Sequence, residues 1–392
     1  MKALLLGDVS PTALTNPLFE KKDVAALFSD SATIFEGNDI NFINLECALT
    51  DSDKDIEKFG PPLKGTVNTA ETLKMVGVNY CGLSNNHVFD YGVQGMKDTF
   101  RALDQAGITY TGFGKDYEDS RKNLVITDGE EKVCIIAVCE HEYSYALEDR
   151  MGSRPFDEYD TIEDIRRAKE TCDRVIVIYH GGKEHCRYPS PRLHKLCRAM
   201  VRNGADVVLC QHSHCIGCYE KFEGAHILYG QGNFHFCKYI GTSPTWVEGL
   251  IANLTIDRTG IDIDFEPVII SETGIDLADD ETKARILKEL WERSETIKNG
   301  EWKKGWQEFC RSVETQYKKS VCGHSVEDDL DKMQIFPHYL DCEAHTDVWR
   351  EIFPTWNKTN ELAENKRIRY IVMASPAADA AGEAIAWGLV HI

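Results

Sequence analysis

Repetition constrains this chain more than any single residue does: short apolar runs of strand length end, one after another, in a carboxylate, an amide or an imidazole. Lys2 to Leu6 leads into Gly7-Asp8, Ile40 to Leu45 into Glu46, and Val78 to Leu83 into Ser84-Asn85-Asn86-His87. Further on, Lys132 to Val138 leads into Cys139-Glu140-His141-Glu142, Arg174 to Tyr179 into His180-Gly181-Gly182-Lys183-Glu184-His185, and Asp206 to Cys210 into Gln211-His212-Ser213-His214. Runs this short and continuously apolar predict strands buried on both faces. In open α/β sheets ligands bind at the carboxyl ends of the strands, so Asp8, Glu46, Asn86, His180, His212 and His214 are expected along one edge.

Helical segments alternate with these strands. Asp23 to Phe28 reads as a short helix, Asn68 as the cap of a helix through Val76 closed by Gly77, and Gly95 to Gln105 as a helix stopped by Gly107. Asp160 to Thr171 and a helix opened by Ser190-Pro191 follow. Hairpins are expected about Asp128-Gly129 and about Arg258-Thr259-Gly260. The fold class is therefore α/β, with β-sheets flanked by helices. Asp51 to Lys58 is charged and reads as a mobile loop, and Gly60 to Gly65 as a rigid turn presenting Lys64.

The pattern changes after about residue 275. Lys283 to Ile297, Gly305 to Tyr317 and Glu343 to Phe353 are helix-like, with Trp291, Trp302, Trp306 and Trp349 among their anchors and no catalytic clustering. A body over residues 1–270 and a mainly helical extension over 271–392 follow. The extension reads as a cap on the body or a docking surface for a protein partner; Ala377 to Ile392, small and apolar, fits no element.

Charge narrows the partners. Lys plus Arg number 44 against 64 Asp plus Glu, a net charge of −20, which repels nucleic acid and anionic membranes. An acidic protein acting on an anionic substrate needs metal ions in its cleft. The 14 cysteines are scattered and the apolar start is too short for a signal peptide, so a reducing, cytoplasmic setting with free thiols is expected. No stretch approaches the roughly 20 apolar residues that span a bilayer.

Carboxylate, imidazole and neutral amide together suit one or two borderline divalent ions, Mn²⁺, Zn²⁺ or Fe²⁺. Cys215-Ile216-Gly217-Cys218, beside His212 and His214, offers a rival zinc site but lacks a second CxxC. Gly230-Gln231-Gly232-Asn233-Phe234 is a glycine-rich turn that lets backbone approach a site closely, presenting Asn233 to substrate.

These motifs, with Asn44-Leu45-Glu46, Gly60-Pro61-Pro62-Leu63-Lys64 and Asp90-Tyr91-Gly92 in the same order, resemble the capsule synthesis protein CapA family, the poly-γ-glutamate synthesis group within the calcineurin-like metallophosphoesterase superfamily. The resemblance covers about residues 1 to 270. It implies a layered metallophosphoesterase-like fold, Asp8 and His214 on one metal, Asn86, His180 and His212 on the other, and Glu46 bridging. It makes His87 the acid or transition-state donor. Asp90 could hold the tautomer of His87, Lys64 meet substrate charge, and Glu184 support a ligand. Ser10 stands where many phosphoesterases carry a second histidine, and Gln211 where a glycine is usual, which leaves the first metal short of a ligand.

The implied reaction is hydrolysis by a metal-bound hydroxide, on a phosphate-containing small molecule or an anionic polymer of capsule or poly-γ-glutamate type. Two other functions fit the same residues: a non-catalytic metal- or polymer-binding component of polymer synthesis, and a γ-glutamyl (iso)peptide hydrolase.

Overall fold

The computed structural model describes residues 1–321, 335 and 338–353; the apolar stretch from Ala377 lies outside the described residues. In chain order the main strands are β1 (Lys2–Val9), β2 (Ile40–Leu45), β3 (Tyr80–Gly82), β4 (Thr109–Thr111), β5 (Leu124–Asp128), β6 (Glu131–Cys139) and β7 (Arg174–His180). There follow β8 (Val207–Gln211), β9 (Tyr219–Phe222), β10 (Ala225–Leu228), β11 (Asn233–His235), β12 (Glu248–Asp257), β13 (Gly260–Ile270) and β14 (Ile275–Leu277). They build two sheets, one in the order β14-β13-β12-β1-β2-β3-β4 with β11 also on β1, the other in the order β9-β10-β8-β7-β6-β5.

Residues alternate along each central strand between two buried faces. In β1, Ala3 and Leu5 join Ile40, Phe42, Ala252 and Leu254 in a core that meets Ile135, Ala137, Ile176, Ile178, Val207 and Leu209 of the other sheet. Leu4 and Leu6 point the other way, with Ile43 and Leu45, onto Phe19, Phe28, Leu73, Met96 and Leu103. Those residues come from α1 (Asn16–Lys21), α2 (Val24–Phe28), α3 (Asn68–Val76) and α4 (Gly92–Ala106). Likewise Val175, Val177 and Tyr179 of β7 turn onto Ile165, Leu193 and Met200, carried by α5 (Glu158–Thr171) and α6 (Pro191–Arg202). The result is four layers, helix, sheet, sheet, helix, which is why the apolar runs read as continuous. Trimming a side chain such as Phe42 in the middle layer removes about 3–5 kcal/mol of stability.

Three long helices complete the described chain: α7 (Asp280–Asn299), α8 (Trp302–Val321) and α9 (Glu343–Ile352). Ile286 and Leu290 of α7 enter the core between the sheets, and Ile297 and Trp302 join the outer core of the second sheet. Trp306, Cys310, Tyr317, Tyr339 and Val348 form a smaller cluster with Cys186. Met1–Ile352 pack as one compact unit.

Local corrections have simple causes. Asn68 is the first helical residue of α3 rather than its cap; Val67 holds the cap position without a side-chain bond, and the Asn68 amide donates to the Glu20 carbonyl at 3.1 Å instead. Lys58 does not end in solvent: its side chain is 3% exposed because it pairs with the buried Asp90 at 2.5 Å. Asp23, read as the first residue of a helix, is instead the cap of α2, and like Ser190 before α6 its side chain accepts a backbone N–H bond, from Ala26 and Leu193 respectively.

One packing contact carries a pH dependence. His194 of α6 lies against Trp302, with ring centroids 4.7 Å apart, and against Tyr229 at 5.8 Å. Burial, reinforced by Arg198 and Lys303 and opposed by Glu220, lowers its pKa from 6.5 to about 4. The unfolded chain therefore binds this proton at a higher pH than the folded chain, and stability falls as pH drops from 6.5 towards 4. Urea denaturation at pH 7 and pH 5 should show a smaller loss of stability for His194→Gln than for the unsubstituted chain.

Candidate metal centre

Strand register gathers the donors. In the second sheet Cys139, His180 and Gln211 stand abreast on β6, β7 and β8, so the residues that follow each strand emerge at one edge. In the first sheet Asp8 stands opposite Asn44 on one side and Asn233 on the other. The register of β1 shifts between Leu5 and Asp8 on the β2 side. Gly7 sits at that point because a Cβ there would lie 2.2 Å from the Gly232 carbonyl oxygen. A side chain would push β11, and Asn233 with it, off the strand.

Asp8, Glu46, Asn86, His180, His212 and His214 all come together, buried. Asp8 accepts from the Asn44 amide at 2.7 Å and from the His212 backbone N–H at 3.2 Å, and lies 3.4 Å from His214 Nδ1. Burial alone would raise its pKa, yet the His214 bond, the His180 and His214 charges and the Asn44 amide hold it at about 2. His180 Nε2 lies 3.0 Å from Asn86 Oδ1, 3.2 Å from His212 Nδ1 and 3.4 Å from Glu46 Oε1. Ring nitrogens and carbonyl oxygens converge here with too few protons to satisfy them all.

Glu46 is the extreme case. Its side chain is fully buried, and neither carboxylate oxygen has a hydrogen-bond partner among the described residues. A buried carboxylate left this way costs several kcal/mol unless a cation meets it. Glu46 belongs to two groups whose ligand atoms lie within 4.8 Å of one another, one with Asp8 and His180, the other with His212 and His214. The grouping crosses the two ligand sets that the resemblance implies, since His180 falls with Asp8. The chemistry of the donor set, carboxylate and imidazole together, fits a divalent ion.

The backbone contributes strain. His212 and His214 both have positive φ, 74° and 51°, a region that costs non-glycine residues about 1–3 kcal/mol and collects at functional sites. His214 is aimed by Asn233, whose Oδ1 lies 2.8 Å from Nδ1 while its amide donates to the Trp246 carbonyl. Burial disfavours charge on His212, but Glu142, Glu184 and Glu46 raise its pKa to about 10.

The stretch after β3 divides its tasks. Asn85 is a backbone organiser: its carbonyl accepts from the N–H groups of His87 and Val88, and its amide donates to Asn44 Oδ1 and the Leu45 carbonyl. Asn86 donates to Glu142 at 2.8 Å. His87 is 15% exposed, with Nδ1 held 2.7 Å from Asp90, which also accepts from the Leu63 N–H. Lys58 Nζ lies 3.0 Å from the same ring nitrogen.

Lys64 bonds the Ser52 carbonyl and Asp53 and lies over the Tyr91 ring. Glu184 pairs with Lys183 at 3.2 Å. Ser10 Oγ is buried without a partner among the described residues, and the Gln211 amide donates to the Leu6 carbonyl. Cys215 and Cys218 are buried free thiols and join no ligand cluster among the described residues.

Sequence reasoning missed Lys58, Glu142 and the groups that α9 and the residues before it bring to this edge. Glu142 Oε1 lies 3.4 Å from His212 Nε2; His141 contacts Glu343, and Tyr145 donates to Asp341. The signal for Glu142 was present, since Cys139-Glu140-His141-Glu142 follows a strand as the other motifs do. A cleft of about 430 Å³ borders Glu142, lined also by Tyr143, Tyr145, Arg150 and His338.

The four-layer α/β body thus gathers buried carboxylate and imidazole groups, close enough together to hold a metal ion, at the edge its two sheets share. The chain belongs to the bacterial capsule synthesis protein PGA_cap family, whose family model matches residues 2–238. It is 28% identical over 216 residues to the capsule biosynthesis protein CapA of Bacillus anthracis, covering 54% of this chain and 52% of that protein. Over 249 residues it is 28% identical to the PGA biosynthesis protein CapA of Bacillus subtilis strain 168, covering 60% and 63%. The matched segments thus span about half to two-thirds of those relatives. Among solved structures it is similar to a hypothetical protein from Thermus thermophilus, at TM-score 0.43 and 13% identity over 71% of this chain and 99% of that one. A 5'-nucleotidase from Candida albicans gives TM-score 0.38 and 9% identity, over 76% and 58%. No helix among the described residues is long and apolar enough to cross a membrane.

Because one carboxylate belongs to both groups, Glu46→Gln should weaken Mn²⁺ uptake by more than the ~10–100-fold typical of losing an outer-shell partner. Asn233→Ala, which releases His214 and the Trp246 carbonyl but removes no member of either group, should stay within that range. Calorimetric titration of the metal-free chain measures both.

Proposed function

We propose that this chain is a metal-dependent hydrolase serving capsule or poly-γ-glutamate type polymer metabolism, acting on a phosphate-containing or related anionic bond. The observation that carries this reading is the buried carboxylate of Glu46, without a hydrogen-bond partner among the described residues, set among Asp8, His180, His212 and His214. Asp8, Glu46, Asn86, His180, His212 and His214 would hold divalent ions. Such ions, when bound, lower the pKa of water and stabilise charge on the transferred group.

The chain's own groups supply the rest. Asp90 accepts from the His87 ring at Nδ1, so when the ring carries both protons Nε2–H is the one left to pass to a leaving oxygen. Lys58, buried against Asp90 and His87, holds that pair in place and adds positive charge beside it. Asn233 keeps His214 aimed at the site, and Asn86 ties it to Glu142. The cleft beside Glu142 offers aromatic walls and Arg150 to a substrate larger than a phosphate group. The link to polymer metabolism draws on the CapA relatives, named for capsule and PGA biosynthesis.

The test is turnover by Mn²⁺-loaded protein of an aryl phosphate and of γ-glutamyl peptides. Activity on either substrate should fall roughly 10²–10⁴-fold in kcat for His87→Ala, the range for losing a general acid. His212→Ala should abolish it together with metal uptake. Metal-loaded protein that turns over neither substrate would replace this reading with that of a binding component of polymer synthesis.

A further inference from the structure

A second cluster of ligand-type side chains lies next to the first and shares no residue with it. Glu142, His338 and His345 each offer one ligand atom, and these atoms lie within 4.8 Å of one another. They come from the loop after β6 and, about 200 residues later in sequence, from the segment around α9. We propose that they form an additional divalent-cation site, selective for a borderline ion such as Zn²⁺, that pins the C-terminal helical segment to the strand edge.

Each ligand is oriented by a partner of its own. Asn86 donates to Glu142 Oε2 at 2.8 Å, leaving Oε1 on the side of His212 Nε2, 3.4 Å away. Tyr317, itself buried, places its hydroxyl 2.6 Å from His345 Nδ1. That contact fixes the ring and leaves Nε2 as its free ligand atom, the arrangement in which metal-binding histidines are held by their other nitrogen. The His338 ring stacks on Tyr143 at 5.4 Å and 18°, and meets the His345 ring edge-on at 4.5 Å. Its Nδ1 is buried and finds no hydrogen-bond partner among the described residues. Two histidines brought together without a proton acceptor for that nitrogen are poor core packing and good ligand geometry.

Two imidazoles and one carboxylate form a zinc set that keeps a coordination position open. His338 and Glu142 both line the 430 Å³ cleft, so an ion held by them would be open to an anionic group entering that cleft. Magnesium and calcium, which prefer all-oxygen sets, are disfavoured by the two imidazoles. The site stands independently of the hydrolase reading, since its ligands differ from those around Glu46.

The test is a metal inventory of the full chain. Metal-free protein is loaded with Zn²⁺, dialysed and analysed for bound metal, and wild-type crystals are examined by anomalous scattering at the zinc edge. His338→Ala and His345→Ala should each lose about one equivalent of Zn²⁺ relative to wild type, whereas Glu46→Gln should keep that equivalent. The anomalous map of the wild type should show a peak between Glu142, His338 and His345, a readout that needs no variant to fold. Equal zinc content in wild type and both histidine variants, or no peak among these three residues, overturns the proposal. A peak here with none at Glu46 would overturn the hydrolase reading alone.

Discussion

Everything near the edge where the strands end is arranged around one costly fact, a carboxylate buried without a hydrogen bond from any described residue. Glu46 follows β2, a strand whose every residue is buried, so its side chain cannot reach water. The two sheets press together through an apolar middle layer, and that packing holds Glu46 where it is. Stability and site are coupled here: the same burial that makes the sheets cohere makes an uncompensated carboxylate costly.

Around that constraint the polar groups satisfy one another closely. Asn44 and Asn85 interlock with each other and with Asp8, fixing the first sheet's edge. Glu140 is satisfied by Tyr179, Arg192 and the Gly182 N–H, and Arg192 in turn holds Asp347, which also accepts from Ser190. Through Arg192 and Asp347, α9 is tied to the cap of α6, and so to the strand edge itself. The helical segment is therefore part of the site's wall, and it brings His338, Asp341, Cys342, Glu343, His345 and Asp347 there from one short stretch of sequence.

The stretch Asn85-Asn86-His87 shows how neighbours diverge in role. Asn85 serves only the backbone and Asn44, Asn86 faces His180 and Glu142, and His87 turns away to Asp90 and Lys58. Composition marks such a stretch as unusual for a turn; only side-chain direction tells which amide faces the cluster. Lys58 and Lys64 make the same point, since both sit in one loop region and only the first is buried against the His87 pair.

The sequence by itself determined the layered α/β body and the residues at its strand ends, because continuous apolar runs require two buried faces and period two sets what each face receives. It also marked Asp8, Glu46, Asn86, His180, His212 and His214, since parallel strands deliver what ends them to one edge; that the first three come from one sheet and the last three from another was decided by how the two sheets pack. Tertiary structure alone decided the rest. Register, a property of pairs of strands, aligned Cys139, His180 and Gln211. The meeting of Glu142 with His338 and His345 joins loops about 200 residues apart, and no local periodicity encodes a contact between elements so far apart in the chain.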